Sequence, residues 1–105
     1  MTHPQVKNTI ANYFQHKPVE KAWIFGSFSR NEERPDSDID ILVSLTKDAH
    51  LGFAFAGMIC DLEELLQRPV DLVVDGNILP FAQESVNRDK VLIYERTGSR
   101  LLPNR

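Results

Sequence analysis

A chain of 105 residues, 42% apolar and 26% charged, has material for one folded core and little for a second. Its net charge of -3, with no run of Lys and Arg, argues against nucleic acid as the main partner. No stretch reaches the ~20 apolar residues of a membrane span, no signal-peptide core is present, and the single Cys60 excludes an internal disulfide, so a cytoplasmic protein is expected.

Val6, Ile10 and Tyr13-Phe14 recur every three to four residues, which predicts an amphipathic helix over 4–16, closed by Lys17-Pro18. Ala22-Trp23-Ile24-Phe25 is a continuous apolar run ending at Gly26, the pattern of a buried strand, with Trp23 expected in the core beneath the sheet. A helical turn over 27–34 opens from it, and Asn31 suits a left-handed helix end because its short polar side chain tolerates positive φ. Residues 35–37 read as loop and 38–45 as a second strand. From about 49 to 67, Leu51, Phe55, Met58-Ile59, Leu62 and Leu65-Leu66 mark one face of a long helix, in which Cys60 is expected as a buried, inert thiol. Val70 to Val74 is a third strand with Asp75-Gly76-Asn77 as its turn, followed by a helix over 78–87 and a fourth strand over 90–94. Residues 1–96 thus read as one domain and 97–105, with Gly98 and Pro103, as a flexible tail. Helices alternating with strands predict an α/β sandwich around one sheet. His3, His16 and His50 lack metal-ligand spacing and are expected on the surface with Arg34 and Lys47.

The chemistry-bearing residues lie in three places. Gly26-Ser27 is followed, after ten intervening residues, by Asp38-Ile39-Asp40, and a third acid, Asp71, sits between Val70 and Leu72. At average residue frequencies, a Gly-Ser pair so placed ahead of Asp-x-Asp arises by chance on the order of once in a thousand in a chain this short. Side chains alternate along a strand, so Asp38 and Asp40 project to one side. Two like charges held that close repel unless a cation lies between them. Mg²⁺ is the natural one, being hard, oxygen-seeking and content with a few carboxylates plus phosphates and water. If the third strand lies beside the second, Asp71 joins the pair and a two-ion site results. A strand entering a helix at Gly26-Ser27 exposes backbone N–H groups to a phosphate, glycine allows close approach, and the Ser27 hydroxyl can donate to a phosphate oxygen. Arg30, one helical turn beyond Ser27, is a further candidate for the same phosphates, a solvated surface position being its alternative.

Residues 23–31 (Trp-Ile-Phe-Gly-Ser-Phe-Ser-Arg-Asn), 37–43 (Ser-Asp-Ile-Asp-Ile-Leu-Val), 62–73 and the closing Val91-Leu92-Ile93-Tyr94-Glu95 resemble the minimal nucleotidyltransferases of the DNA-polymerase-β-like superfamily. The resemblance implies a polymerase-β-like fold, with a mixed sheet of about four strands flanked by helices. It also implies AMP transfer from ATP with two Mg²⁺ held by Asp38, Asp40 and Asp71, the last accepting the proton of the attacking hydroxyl. Gly26 and Ser27 would hold the β- and γ-phosphates. Asn31 and Gln67 stand where such proteins commonly carry glycine, and the helix end at Gln67 is therefore expected to differ slightly.

By the same resemblance the partner is a HEPN-domain RNase toxin, modified on a hydroxyl, typically tyrosine, with this chain as its antitoxin. No acceptor-binding domain is expected within the chain, so the acceptor is recognised by another chain or is that chain. Two alternatives stay open. One is transfer to a small hydroxylated substrate such as an aminoglycoside, with an oligomer supplying the pocket. The other is an antitoxin that acts by occlusion without catalysis.

Overall fold

Thr2 opens the first helix with a reciprocal cap: Gln5 N–H donates to Thr2 Oγ1 at 3.2 Å, and Thr2 N–H donates to Gln5 Oε1 at 2.8 Å. The computed structural model describes residues 2–31, 37–46, 53–76 and 78–96. In chain order the elements are α1 (His3–Phe14), β1 (Val19–Phe25), α2 (Gly26–Ser29), β2 (Ile39–Leu45), α3 (Phe53–Leu66), β3 (Val70–Val74), α4 (Pro80–Asp89) and β4 (Val91–Glu95). The expectations for Arg34, Lys47, His50, Leu51, Asn77 and 97–105 fall outside the described residues.

The four strands form one mixed sheet in the order β3-β2-β1-β4, with β1 antiparallel to both neighbours and β2 parallel to β3. Val6, Ile10 and Phe14 of α1, spaced by four residues, meet Met58, Leu62 and Leu66 of α3 over one sheet face. That face is built from Ala22, Ile24, Ile39, Ile41, Val43, Val70 and Leu72. Full burial of a side chain such as Ile10 or Leu62 contributes about 1.5–3 kcal/mol, so this layer holds the sheet together. The α/β sandwich expected from the alternation is the observed architecture.

Several side chains depart from expectation, Cys60 and Trp23 through helix and strand phase. Cys60 is exposed, not buried. It lies two residues from buried Met58 and Leu62, about 200° around the helix from each, and so faces away from the core. Leu65 is exposed too, at the edge of the apolar face and beside buried Leu66. Trp23 is half-buried on the opposite face of β1 from Ala22 and Ile24, with the Lys90 ammonium 5.0 Å above its ring. β1 also begins at Val19, three residues before the apolar run, because Val19 pairs with Leu45 and is fully buried while Glu20 and Lys21 break up the pattern. His3 is not a plain surface residue, since its ring stacks on Phe28 at 4.0 Å. No helix of the described residues is long and apolar enough to cross a membrane.

Candidate active site

Alternation along β2 sends Ile39, Ile41 and Val43 into the core, and Asp40 to the other face. The parallel register pairs Asp40 with Asp71 of β3, and the antiparallel register pairs Asp40 with Phe25 at the end of β1. Asp40 is therefore flanked by the third acid on one side and by the Gly-Ser turn on the other. Asp38 lies one residue before β2 and is exposed. Asp40 and Asp71 thus stand side by side in the ladder, and Asp38, just ahead of the strand, is near enough for its charge to act on Asp40. Among the described residues no three acidic, His or Cys side chains are gathered into a ready-made metal cage.

The charges still interact. The Asp40 carboxyl is pushed up to about 6, chiefly by burial, then by the negative charges of Asp71 and Asp38, with the Arg30 guanidinium pulling the other way. A half-buried carboxylate raised by two like charges is an electrostatic arrangement that a divalent cation would relieve. Three carboxylates on one sheet end are also the hard oxygen donors that Mg²⁺ takes. On that donor chemistry the residues fit the metal.

Gly26 explains how close the two motifs come. Its φ is +73°, and a Cβ there would collide with Asp40 Oδ2 and stand 3.1 Å from Asp40 Cγ. Glycine is required twice over, by backbone conformation and by the carboxylate packed against its Cα. The helix that follows is a single turn of four residues, so its free N–H groups, more than an accumulated dipole, offer positive charge to a phosphate. Its N-cap is Phe25, with no side-chain cap, so Ser27 is not serving as one. Ser29 Oγ instead donates to the Gly26 carbonyl at 2.9 Å, bracing the turn.

Arg30 caps the C-terminal end of α2, and its Nη1 donates to Asp89 Oδ2 at the end of α4, whose side chain is nearly buried. Arg30 is therefore neither a plain solvated side chain nor yet turned wholly to the phosphate turn: it bridges α2 and α4 within electrostatic range of Asp40. Asn31 adopts φ +60°, as expected for its left-handed position. Gln67 adopts φ +56° as well, so the helix end there keeps the glycine-like geometry. Its amide Nε2 donates to the Glu64 carbonyl at 2.6 Å, and its N–H to the Glu63 carbonyl at 2.8 Å.

Two residues at the site carry no obvious sequence signal. Asp89 is far along the chain from Arg30, and only the fold joins them. Arg68 sends both Nε and Nη2 to the Ser37 carbonyl, at 3.0 and 2.9 Å, and lies 5.6 Å above the Phe28 ring. Its place just before Pro69-Val70-Asp71 was a hint, but its partner was not readable.

A Gly-Ser turn lies against Asp40, with a third aspartate on the parallel neighbour, an arrangement chemically suited to nucleotide transfer. The family described as Polymerase beta, Nucleotidyltransferase matches residues 8–98. The chain belongs to that family and is a nucleotidyltransferase. It is similar to a Methanocaldococcus jannaschii protein named "Putative protein adenylyltransferase MJ0435", 32% identical over 87 residues, covering 83% of this chain and 92% of the relative. A solved structure described as a "putative minimal nucleotidyltransferase" superposes with TM-score 0.73 at 28% identity, covering 87% of this chain and 95% of the other. One chain of a tri-AMPylated Shewanella oneidensis HEPN toxin in complex with MNT antitoxin superposes with TM-score 0.67 at 21% identity, covering 93% and 76%. That last likeness speaks to the fold alone.

Proposed function

We propose that this protein transfers AMP from ATP to a protein hydroxyl, a tyrosine of a HEPN-type toxin, and serves as that toxin's antitoxin. The observation that carries the reading is the pairing of Asp40 with Asp71 while Gly26 lies against the Asp40 carboxylate. An acid pair and a Gly-Ser turn at one end of one sheet are what a bound triphosphate would need, and that supports the reading. The similarity to a named protein adenylyltransferase supports AMP as the group moved, and the fold shared with a toxin–antitoxin complex supports the partner class.

Asp38, Asp40 and Asp71 would hold Mg²⁺, which supplies neutralisation of phosphate charge and acidification of the attacking hydroxyl. The chain's own groups do the rest. The Ser27 hydroxyl and the N–H groups of the α2 turn bind the β- and γ-phosphates and orient the α-phosphorus. Asp71, exposed at the edge of the acid pair, accepts the proton of the acceptor hydroxyl. The hydroxyl oxygen bonds to the α-phosphorus as the bond to the bridging oxygen breaks, and pyrophosphate leaves.

The test is to incubate the protein with labelled nucleoside triphosphates, Mg²⁺ and the product of its neighbouring gene, and to weigh both proteins. A partner heavier by whole AMP units is the expected result. Association without a mass change points to occlusion, and transfer to an aminoglycoside without a partner points to a small-molecule enzyme.

A further inference from the structure

Three segments make the site: the Gly26-Ser27 turn, the Asp38-x-Asp40 strand start, and the Asp71 strand. One side chain touches or adjoins all three. Arg68 follows the left-handed residue Gln67, where the chain reverses from α3 into β3. Its guanidinium forks onto a single carbonyl, that of Ser37, the residue before Asp38. Its Cζ lies 5.6 Å from the ring centroid of Phe28, the residue after Ser27, which is 1% exposed. His3 stacks on the same ring. Three residues after Arg68, β3 carries Asp71.

Backbone hydrogen bonds complete the bracket. Ile39 N–H donates to the Pro69 carbonyl at 3.0 Å, and Val70 N–H to Glu63 Oε2 at 3.0 Å. The β2 start is thereby tied to 69, the β3 start to α3, and the carbonyl just ahead of Asp38 to Arg68. Asp38 lies outside the ladder and is exposed, held on one side by Ile39, whose N–H is bound to Pro69, and on the other by the Ser37 carbonyl that Arg68 holds. A lysine in place of Arg68 keeps the charge but has no planar fork to give that carbonyl two hydrogen bonds while keeping a cation beside the Phe28 ring.

We propose that Arg68 is the positioning residue of the site: it fixes the backbone ahead of Asp38 and anchors the phosphate turn through Phe28. It sets how close Asp38 comes to Asp40 and Asp71, and it touches neither substrate nor metal. The proposal rests on the reading of the three aspartates as cation ligands. Groups that orient metal ligands from behind typically change metal affinity about 10–100-fold when altered.

The experiment measures Mn²⁺ binding to the nucleotide-free protein by electron paramagnetic resonance, for wild type, Arg68→Lys, Arg68→Ala and Asp71→Asn. It adds hydrogen exchange at the Ile39 and Asp40 amides, and the KM for ATP. Both Arg68 variants should weaken Mn²⁺ binding about 10–100-fold at a temperature where circular dichroism shows them folded. They should speed exchange at Ile39 and raise the ATP KM more than they lower kcat. A purely structural arginine would lower the melting temperature and leave Mn²⁺ affinity unchanged. If Arg68→Ala does not fold, Arg68→Lys carries the measurement. Wild-type Mn²⁺ affinity in a folded Arg68→Lys, with binding lost in Asp71→Asn, overturns the role of Arg68 alone. Unchanged affinity in Asp71→Asn overturns the carboxylate site itself, and the positioning role with it.

Discussion

Replacing Asp40 by Asn should stabilise the protein while ending its activity, and the size of the effect follows from the site. Moving a carboxyl from its ordinary 3.8 to about 6 corresponds to roughly 3 kcal/mol against the charged form at neutral pH. Asp40 is only half-buried, and solvent screening brings the expected gain down to about 1–2 kcal/mol. For a domain of this size that raises the melting temperature by about 5–10 °C. The pH dependence has a definite sign. Between about pH 4 and 6 the folded state holds the proton that the unfolded state has released, so wild-type stability falls as pH rises through that window. Below it both states are protonated, the Asp40 penalty is gone, and wild type should match Asp40→Asn. Above it the full penalty is present and the two diverge. Differential scanning calorimetry at pH 4 and pH 7.5, with and without Mg²⁺, reads this directly. Mg²⁺ should raise the melting temperature of wild type but not of the variant. A gap between the two proteins that is the same at both pH values, or absent at pH 7.5, refutes the electrostatic account.

The other substitutions probe separate parts of the site. Gly26→Ala puts a methyl group against the Asp40 carboxylate in a left-handed backbone, and should destabilise by about 1–3 kcal/mol in thermal melts while abolishing transfer. Ser27→Ala removes one hydrogen bond to a charged group, and the rate at limiting ATP should drop about ten- to a hundredfold with the melting temperature unchanged. Gln67→Gly relieves a left-handed side chain at the loss of one exposed hydrogen bond, and should raise the melting temperature by about 2–4 °C. On the proposed function, Asp71→Asn should block AMP transfer yet leave association with the partner intact in a pull-down, because exchanging a carboxylate for an amide of the same shape removes a proton acceptor and almost no contact area.

Much of this architecture was legible because apolar runs report burial directly. β3 was bounded correctly, since Val70 and Leu72 alternate with Asp71 and Pro69 sets its start. β1 was read three residues short because Glu20 and Lys21 separate Val19 from the apolar run, and pairing with a distant strand is not a local signal. Cys60 and Trp23 were misplaced because composition identifies an apolar element but not its phase against a neighbour. Two residues of helix are enough to turn a side chain from core to solvent, and one residue of strand does the same. The departure at Gln67 was read as a change of shape. The chain instead keeps the shape, with the side-chain amide returning to the Glu64 carbonyl.

The spacing of Gly26 and Asp40 also has a cause that residue frequencies could not supply. Phe25 pairs with Asp40 in the antiparallel ladder, so the residue after Phe25 necessarily lies against the Asp40 carboxylate. Asp40 in turn pairs with Asp71, so the third acid is placed by the parallel register of β2 and β3. Register therefore decides which groups converge, and a slip of one residue would send Asp40 into the core and Ile41 to the site. The buried Ile39, Ile41 and Val43 resist that slip, because it would take all three out of the core. The hydrophobic side of the sheet thus holds mutually repelling carboxylates together on the other side, where their repulsion favours the capture of a cation.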